Sequence, residues 1–193
     1  SLYQLISKTI TYQTGNRSKQ YQVSYGYENI HTNCKSTRIA TEGHYAGLTW
    51  TRYYYEYYKN GNLKSIKLGS DFKNKYVYDE YGRLTEEYNY ELSRAYKFSY
   101  DNGGNIVKKE TYYITDGIID SVPKKIDIYD YNTVTAGCGH NSAWTDQLKS
   151  YNGTIIRYDE SGNPLDYFGK AMVWRGRKLM NINGVAMDYD CSG

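Results

Sequence analysis

At 193 residues, with 24 Lys and Arg against 21 Asp and Glu, the chain carries a net charge of +3, the two signs interspersed along it. That balance leaves no basic stripe for a nucleic-acid partner, and no apolar run approaches the ~20 residues of a membrane-spanning helix, so the segment reads as soluble. The unusual feature is 26 Tyr beside 3 Phe and 2 Pro, a bias towards high strand propensity and a large apolar ring with a polar tip.

The opening residues, Ser1-Leu2-Tyr3-Gln4-Leu5-Ile6, carry neither an initiator Met nor the charged and apolar regions of a signal peptide, so targeting is not legible in them. Residues 1–52 form an irregular β-hairpin lead-in. Thr14-Gly15-Asn16 signals a turn, and Tyr21, Val23, Tyr25 and Tyr27 alternate onto one face of a strand. Residues 30–40 are polar and ambiguous, and Gly43 to Gly47 reads as a loop before a strand over 48–58.

Residues 53–113 hold a regular array. Tyr53, Tyr55 and Tyr57 share a face, Asn60-Gly61 turns the chain, and Leu63-Lys64-Ser65-Ile66 returns it. After the turn at Leu68-Gly69-Ser70-Asp71, the alternation places Phe72, Tyr76 and Tyr78 on one face, with Leu84, Tyr88 and Tyr90 together on the next strand. Glu91-Leu92-Ser93-Arg94 reverses direction, and Tyr96, Phe98 and Tyr100 repeat the pattern. The turn glycines at 61, 82 and 104 recur at a spacing that fits one two-stranded hairpin and its turns.

The unit is clearest in Tyr78-Asp79-Glu80-Tyr81-Gly82-Arg83-Leu84. It returns as Tyr100-Asp101-Asn102-Gly103-Gly104-Asn105-Ile106 and Tyr158-Asp159-Glu160-Ser161-Gly162-Asn163-Pro164. A fifth copy, starting at Met187, is cut short at Gly193, as though the chain were one piece of a longer array. Asp-x-x-Gly suits a type I turn closed by a residue at positive φ, with the Asp carboxylate capping a backbone N–H two residues on. In the first unit Tyr58 stands where Asp would be, so that turn should be looser.

Residues 114–153 read as an insertion: the loop Thr115-Asp116-Gly117, a strand over 125–131, and the Gly-rich loop Thr135-Ala136-Gly137-Cys138-Gly139-His140-Asn141. The stretch beginning at Trp144-Thr145-Asp146-Gln147-Leu148 is the one place where a short helical turn is plausible. Asn152-Gly153 then reads as a hairpin turn. Residues 154–193 are further hairpins with short strands broken by Gly169, Gly176 and Gly184. No segment has a 3.6-residue period. The chain is expected to be all-β, a series of consecutive antiparallel hairpins forming a curved, open segment of a β-shell.

The Tyr-Asp-x-x-Gly-[Asn/Arg]-Leu unit resembles the YD repeat of bacterial rearrangement-hotspot (RHS) proteins and, more distantly, of animal teneurins. The order of its variants, the segment Trp144-Thr145-Asp146-Gln147-Leu148-Lys149-Ser150-Tyr151-Asn152-Gly153 and the step Trp174-Arg175-Gly176-Arg177-Lys178-Leu179 resemble the Gram-positive wall-associated members. The likeness covers roughly residues 50–193. It implies a structural, non-enzymatic role in a secreted or surface-exposed protein, building a shell that encloses or presents a C-terminal effector or toxin. It also implies partners in the remainder of that shell and in the effector. The family's self-cleaving aspartate motif and variable effector have no counterpart in these residues. Strand edges freed from such an array should invite self-association.

Other chemistry is weighed residue by residue. Cys138-Gly139-His140 could be a Cys–His nucleophile pair, but residues two apart on a loop seldom face one another, and a plain loop is preferred. Joining His31 and Cys34 to Cys138 and His140 gives a zinc-type ligand set that sequence spacing does not support. The repeated Asp supply too few oxygens for calcium, so turn capping is preferred. No paired-carboxylate glycosidase arrangement can be picked out. No catalytic residue, metal ligand or cofactor is therefore assigned. The alternative function is a carbohydrate- or cell-wall-binding module using surface Tyr with Trp50, Trp144 and Trp174, its ligand residues unspecified. Three cysteines, Cys34, Cys138 and Cys191, follow no disulfide framework, and all three are expected to be reduced.

Overall fold

The structure is a computed structural model that describes residues 4–15, 17–31 and 34–190, with the side chains of Ile30 and His31 outside the description. Its regular elements are seventeen strands, joined antiparallel in open sheets that do not close into a barrel. They divide between two compact units, residues 1–96 with 112–122 and residues 97–111 with 123–193.

In the first unit the strands follow one another in chain order: β1 (Ser7–Thr14), β2 (Arg17–His31), β3 (Cys34–Ala46), β4 (Thr49–Tyr57), β5 (Leu63–Leu68), β6 (Asp71–Tyr78) and β7 (Leu84–Asn89). Each pairs antiparallel with the next. β8 (Arg94–Tyr100) and β9 (Ile106–Thr115) are divided between the units, and β10 (Ile118–Ile119) pairs with the end of β9. In the second unit β9 pairs with β11 (Lys125–Asp130), which pairs with β12 (Ser150–Tyr151) and it with β13 (Thr154–Ile155). A separate four-stranded sheet follows, β14 (Asp166–Tyr167), β15 (Lys170–Arg175), β16 (Lys178–Ile182) and β17 (Val185–Ala186), also in chain order.

Four local expectations change. Of residues 30–40, ambiguous by composition, 30–31 belong to the long strand β2 and 34–40 to β3, while 32–33 lie outside the described residues. Gly43 to Ala46 is strand rather than loop, and only Gly47 and Leu48 turn. Gly43 is needed inside β3 because a Cβ there would stand 2.7 Å from Ser24 Oγ and 3.2 Å from Trp50 Nε1. Third, β5 meets β6 with a bulge between Ile66 and Lys67, which breaks the alternation. Phe72 therefore stands opposite Lys67, with Lys75 Nζ 3.8 Å from its ring centroid, on the face opposite Tyr76. The helical turn considered near Trp144 is a pair of tight turns, Trp144 N–H to Asn141 O and Gln147 N–H to Trp144 O.

The hairpin turns follow their sequence signals. Asp116-Gly117 and Asn152-Gly153 have both residues at positive φ, 53° and 78°, and 48° and 77°, the backbone of a type I′ hairpin whose twist matches its strands. Gly15 is at +58° and Asn16 lies outside the described residues.

The dry interior is small. Ala95, Tyr112 and Ile114 form a buried cluster in the first unit, supported by Tyr88, Tyr90 and Ile119; Ile156 is the buried apolar residue described in the second. A fully buried side chain of this size contributes about 1.5–3 kcal/mol, against roughly 0.2–1 kcal/mol for each cross-strand pair. With so few of the former and dozens of the latter, pairing along the ladder carries much of the stability.

Candidate functional site: repeated turns, Gly-rich insertion and aromatic surfaces

The repeated Asp residues are built into their turns. Asp79 Oδ1 accepts from the N–H groups of Tyr81 (3.0 Å) and Arg83 (2.9 Å), while Oδ2 accepts from Arg83 Nε at 2.7 Å. Asp159 accepts from Ser161 N–H and Asn163 N–H, both 2.9 Å, and from Asn163 Nδ2 at 2.8 Å. Asp101 does the same with Asn105 N–H (2.8 Å) and Nδ2 (3.1 Å). In each turn the Asp N–H bonds the carbonyl four residues on, and the glycine N–H bonds the Asp carbonyl. Each glycine has positive φ, 80°, 93° and 79°, where a Cβ is strained.

The residue after the glycine thus completes the device: its side chain occupies the second carboxylate oxygen. That explains why Arg83, Asn105 and Asn163 stand there, a role the repeat displayed but residue-by-residue reading missed. Burial works against the charge of Asp79, but the guanidinium and N–H of Arg83 hold its carboxyl below the usual range. The Asn105 and Asn163 amides lead the same downward effect at Asp101 and Asp159. The Tyr58 turn keeps the same backbone bonds, Tyr58 N–H to Asn62 O at 2.8 Å and Gly61 N–H to Tyr58 O at 2.9 Å. Asn60 Oδ1 supplies a substitute cap to Asn62 N–H at 3.1 Å.

In the Gly-rich insertion, His140 spends both ring nitrogens on the backbone. Nδ1 accepts from Thr135 N–H at 3.0 Å, and Nε2 donates to Ile156 O at 2.6 Å. Cys138 O accepts from Tyr158 N–H at 2.8 Å, and a Cβ at Gly139 would come within 2.1 Å of Tyr158 O. The Cys-Gly-His stretch is therefore a docked loop. Cys138 is free and partly buried, and Cys34 is free and exposed; Cys191 lies outside the described residues, as does the His31 side chain required by the zinc reading.

Sequence reasoning did not single out Lys149, which is 1% exposed. Its ammonium donates to Asn141 O (2.8 Å), Gln147 Oε1 (2.8 Å) and Trp144 O (3.3 Å), and burial pushes its pKa down. Three neutral acceptors solvate the cation inside the protein, so one side chain gathers the whole 141–147 loop. Gln147 Oε1 also accepts from Asn141 N–H at 3.1 Å.

The tyrosines earn their hydroxyls. Tyr57 donates to Ile39 O at 2.8 Å, Tyr58 to Tyr76 O at 3.0 Å, Tyr55 to Glu42 Oε2 at 2.8 Å and Tyr158 to Leu148 O at 2.5 Å. Phe would fill the same space and leave those acceptors unmet. Burial, then the nearby Glu86 carboxylate, pushes Tyr88 up to about 12, and burial pushes Tyr158 up to about 12. Among the tryptophans, Trp50 is 46% exposed with the Arg52 guanidinium 4.0 Å from its ring centroid, whereas Trp174 donates from Nε1 to Pro164 O at 2.7 Å. Trp144 remains 45% exposed.

No family model matches the sequence, and no curated protein matches it. Among solved structures, the chain is similar to one in the Tc holotoxin pore of Photorhabdus luminescens carrying a TccC3 variant, with 14% sequence identity and a TM-score of 0.49. The match covers 93% of this chain and 10% of that one, so this chain spans about a tenth of its length.

Proposed function

We propose that the chain is a non-enzymatic wall segment of a YD-repeat shell in a secreted or surface-exposed protein, its partners being the rest of that shell and the effector it encloses or presents. The observation that supports this reading is the repeated turn. The same Asp carboxylate binds the backbone and side chain of the residue four on at Asp79, Asp101 and Asp159, spending the acidic groups on closing hairpins. Strands laid down in chain order extend such a wall one hairpin at a time. Edges unpaired among the described residues, including β1 with its exposed Ile10 and Tyr12, invite pairing with further strands.

The test uses the complete natural polypeptide that contains this segment. Limited proteolysis should leave the enclosed region intact, and deleting residues 71–89 should expose it to cleavage. Equal cleavage with and without those residues would overturn the wall reading.

A further inference from the structure

On one face of the first unit's sheet a phenol, an imidazole and a carboxylate stand in line. Tyr21 on β2 lies opposite Ala46 on β3, and His44, two residues back along β3, lies opposite Val23. Glu42 follows on the same face of β3, opposite Tyr53 on β4. Tyr21 Oη stands 2.5 Å from His44 Nδ1, and Glu42 Oε1 stands 3.2 Å from His44 Nε2. The second Glu42 oxygen accepts from the Tyr55 hydroxyl at 2.8 Å, and the Tyr53 ring meets the imidazole edge-on at 5.8 Å between centroids. Both partners are thus held from β4. A carboxylate beside Nε2 keeps the ring proton there, which leaves the Nδ1 lone pair to accept from the phenol. The His44 and Glu42 side chains are 29% and 25% exposed, so the group stands at the surface, within reach of a reagent from solvent.

Tyr21 is placed differently from the tyrosines that fasten strands. Tyr57, Tyr58 and Tyr158 donate to main-chain carbonyls, and Tyr55 and Tyr88 donate to carboxylates. A carbonyl cannot take the phenol proton, and a carboxylate is too weak a base to draw it, the ordinary values being about 4 for the acid and about 10 for the phenol. Imidazole, ordinarily near 6.5, is the stronger base and is still largely unprotonated at neutral pH. A nucleophile bonded to a base that a third group orients is the arrangement that activates a hydroxyl for covalent chemistry.

We propose that Tyr21 is a nucleophile that takes an acyl group from activated carboxylic esters, with His44 as its base and Glu42 positioning the imidazole. Tyr21 Oη attacks the ester carbonyl carbon as its proton passes to His44 Nδ1, and the imidazolium is stabilised by the Glu42 carboxylate. The bond to the leaving alcohol then breaks, that alcohol takes the proton from His44, and the acyl group remains on Tyr21 as an ester. The first unit thereby carries a site of covalent modification on strands whose other tyrosines only fasten neighbours.

The proposal does not rest on the wall reading and is tested on the full chain with p-nitrophenyl acetate at neutral pH, acetylation being followed tyrosine by tyrosine by peptide mass spectrometry. Tyr21 should be acetylated about a hundredfold faster than the exposed Tyr12 of the neighbouring strand, a comparison made within the wild-type chain. His44→Ala should remove that advantage, and free imidazole added to the variant should restore part of it, which a purely structural histidine would not allow. Equal rates at Tyr21 and Tyr12, an advantage that survives His44→Ala, or no restoration by imidazole would overturn it. Each of those results leaves the hairpin wall untouched.

Discussion

The hairpin ladder of residues 49–89 and the insertion of residues 131–150 solve the same problem in opposite ways. In the ladder most strand residues find a partner on the next strand, and side chains serve chiefly to close turns and fasten neighbours. The insertion has almost no regular pairing of its own, so its carbonyls are gathered by single side chains, Lys149 from below and His140 from its flank. The difference teaches where damage spreads. A change in the ladder is local because many weak pairs share the load, whereas the insertion hangs on a few buried polar groups that are costly to leave unmet.

Lys149→Ala should therefore produce the largest loss. It takes one of two donors from each of Gln147 Oε1, Asn141 O and Trp144 O and opens a cavity, costing about 2–4 kcal/mol, read as a lower urea midpoint and lost protection of the 141–147 amides. A comparable truncation in the ladder, Lys75→Ala, should change stability by less than about 1 kcal/mol. Equal losses would erase the contrast.

The turns sharpen it next. Gly104 and Gly162 have similar backbone angles, 93° and 79°, but a Cβ at Gly104 meets nothing while one at Gly162 meets the Trp144 ring. Gly104→Ala should cost about 1–2 kcal/mol for the left-handed backbone alone, and Gly162→Ala roughly 1–3 kcal/mol more because the ring must move. Chemical denaturation of the two variants measures the difference directly.

Smaller again is Tyr57→Phe, which removes the donor to Ile39 O at a cost of about 0.5–1.5 kcal/mol. Titration brackets the set. Because Tyr88 and Tyr158 are raised to about 12 in the folded chain, their contribution is complete below the ordinary tyrosine value near 10 and is lost as pH rises through about 12. The melting temperature should fall across that window, and Tyr158→Phe should shrink the fall.

How much of this was legible depended on whether the partner was near in sequence. Asn152-Gly153 announced its hairpin because a turn's angles are set by its own two residues, while Asp116-Gly117, read only as a loop, closes the β9–β10 hairpin with the same backbone. The Asp turns were legible for the same reason, and the role of Arg83, Asn105 and Asn163 lay in the repeat itself, four positions after each Asp. Phe72 fell on the unexpected face because a bulge depends on its cross-strand partner, and Gly43 is strand because Trp50 and Ser24 crowd it from neighbouring strands. Lys149 gave no signal. Its acceptors are mostly main-chain carbonyls of an irregular loop, which no residue type advertises.

The central claim, that the repeated Asp are hairpin closures rather than a site for ligands, is tested most directly by replacing them. Asp79→Ala, Asp101→Ala and Asp159→Ala should each lower the melting temperature by roughly 2–4 °C, with the losses adding in the triple variant because the turns are separate. The wild-type loss should begin as pH falls below the ordinary carboxylate range, since all three are held down in the folded chain and their contribution is present only above it. Unchanged melting in all three single variants, or restoration of the triple variant by added calcium, would contradict it.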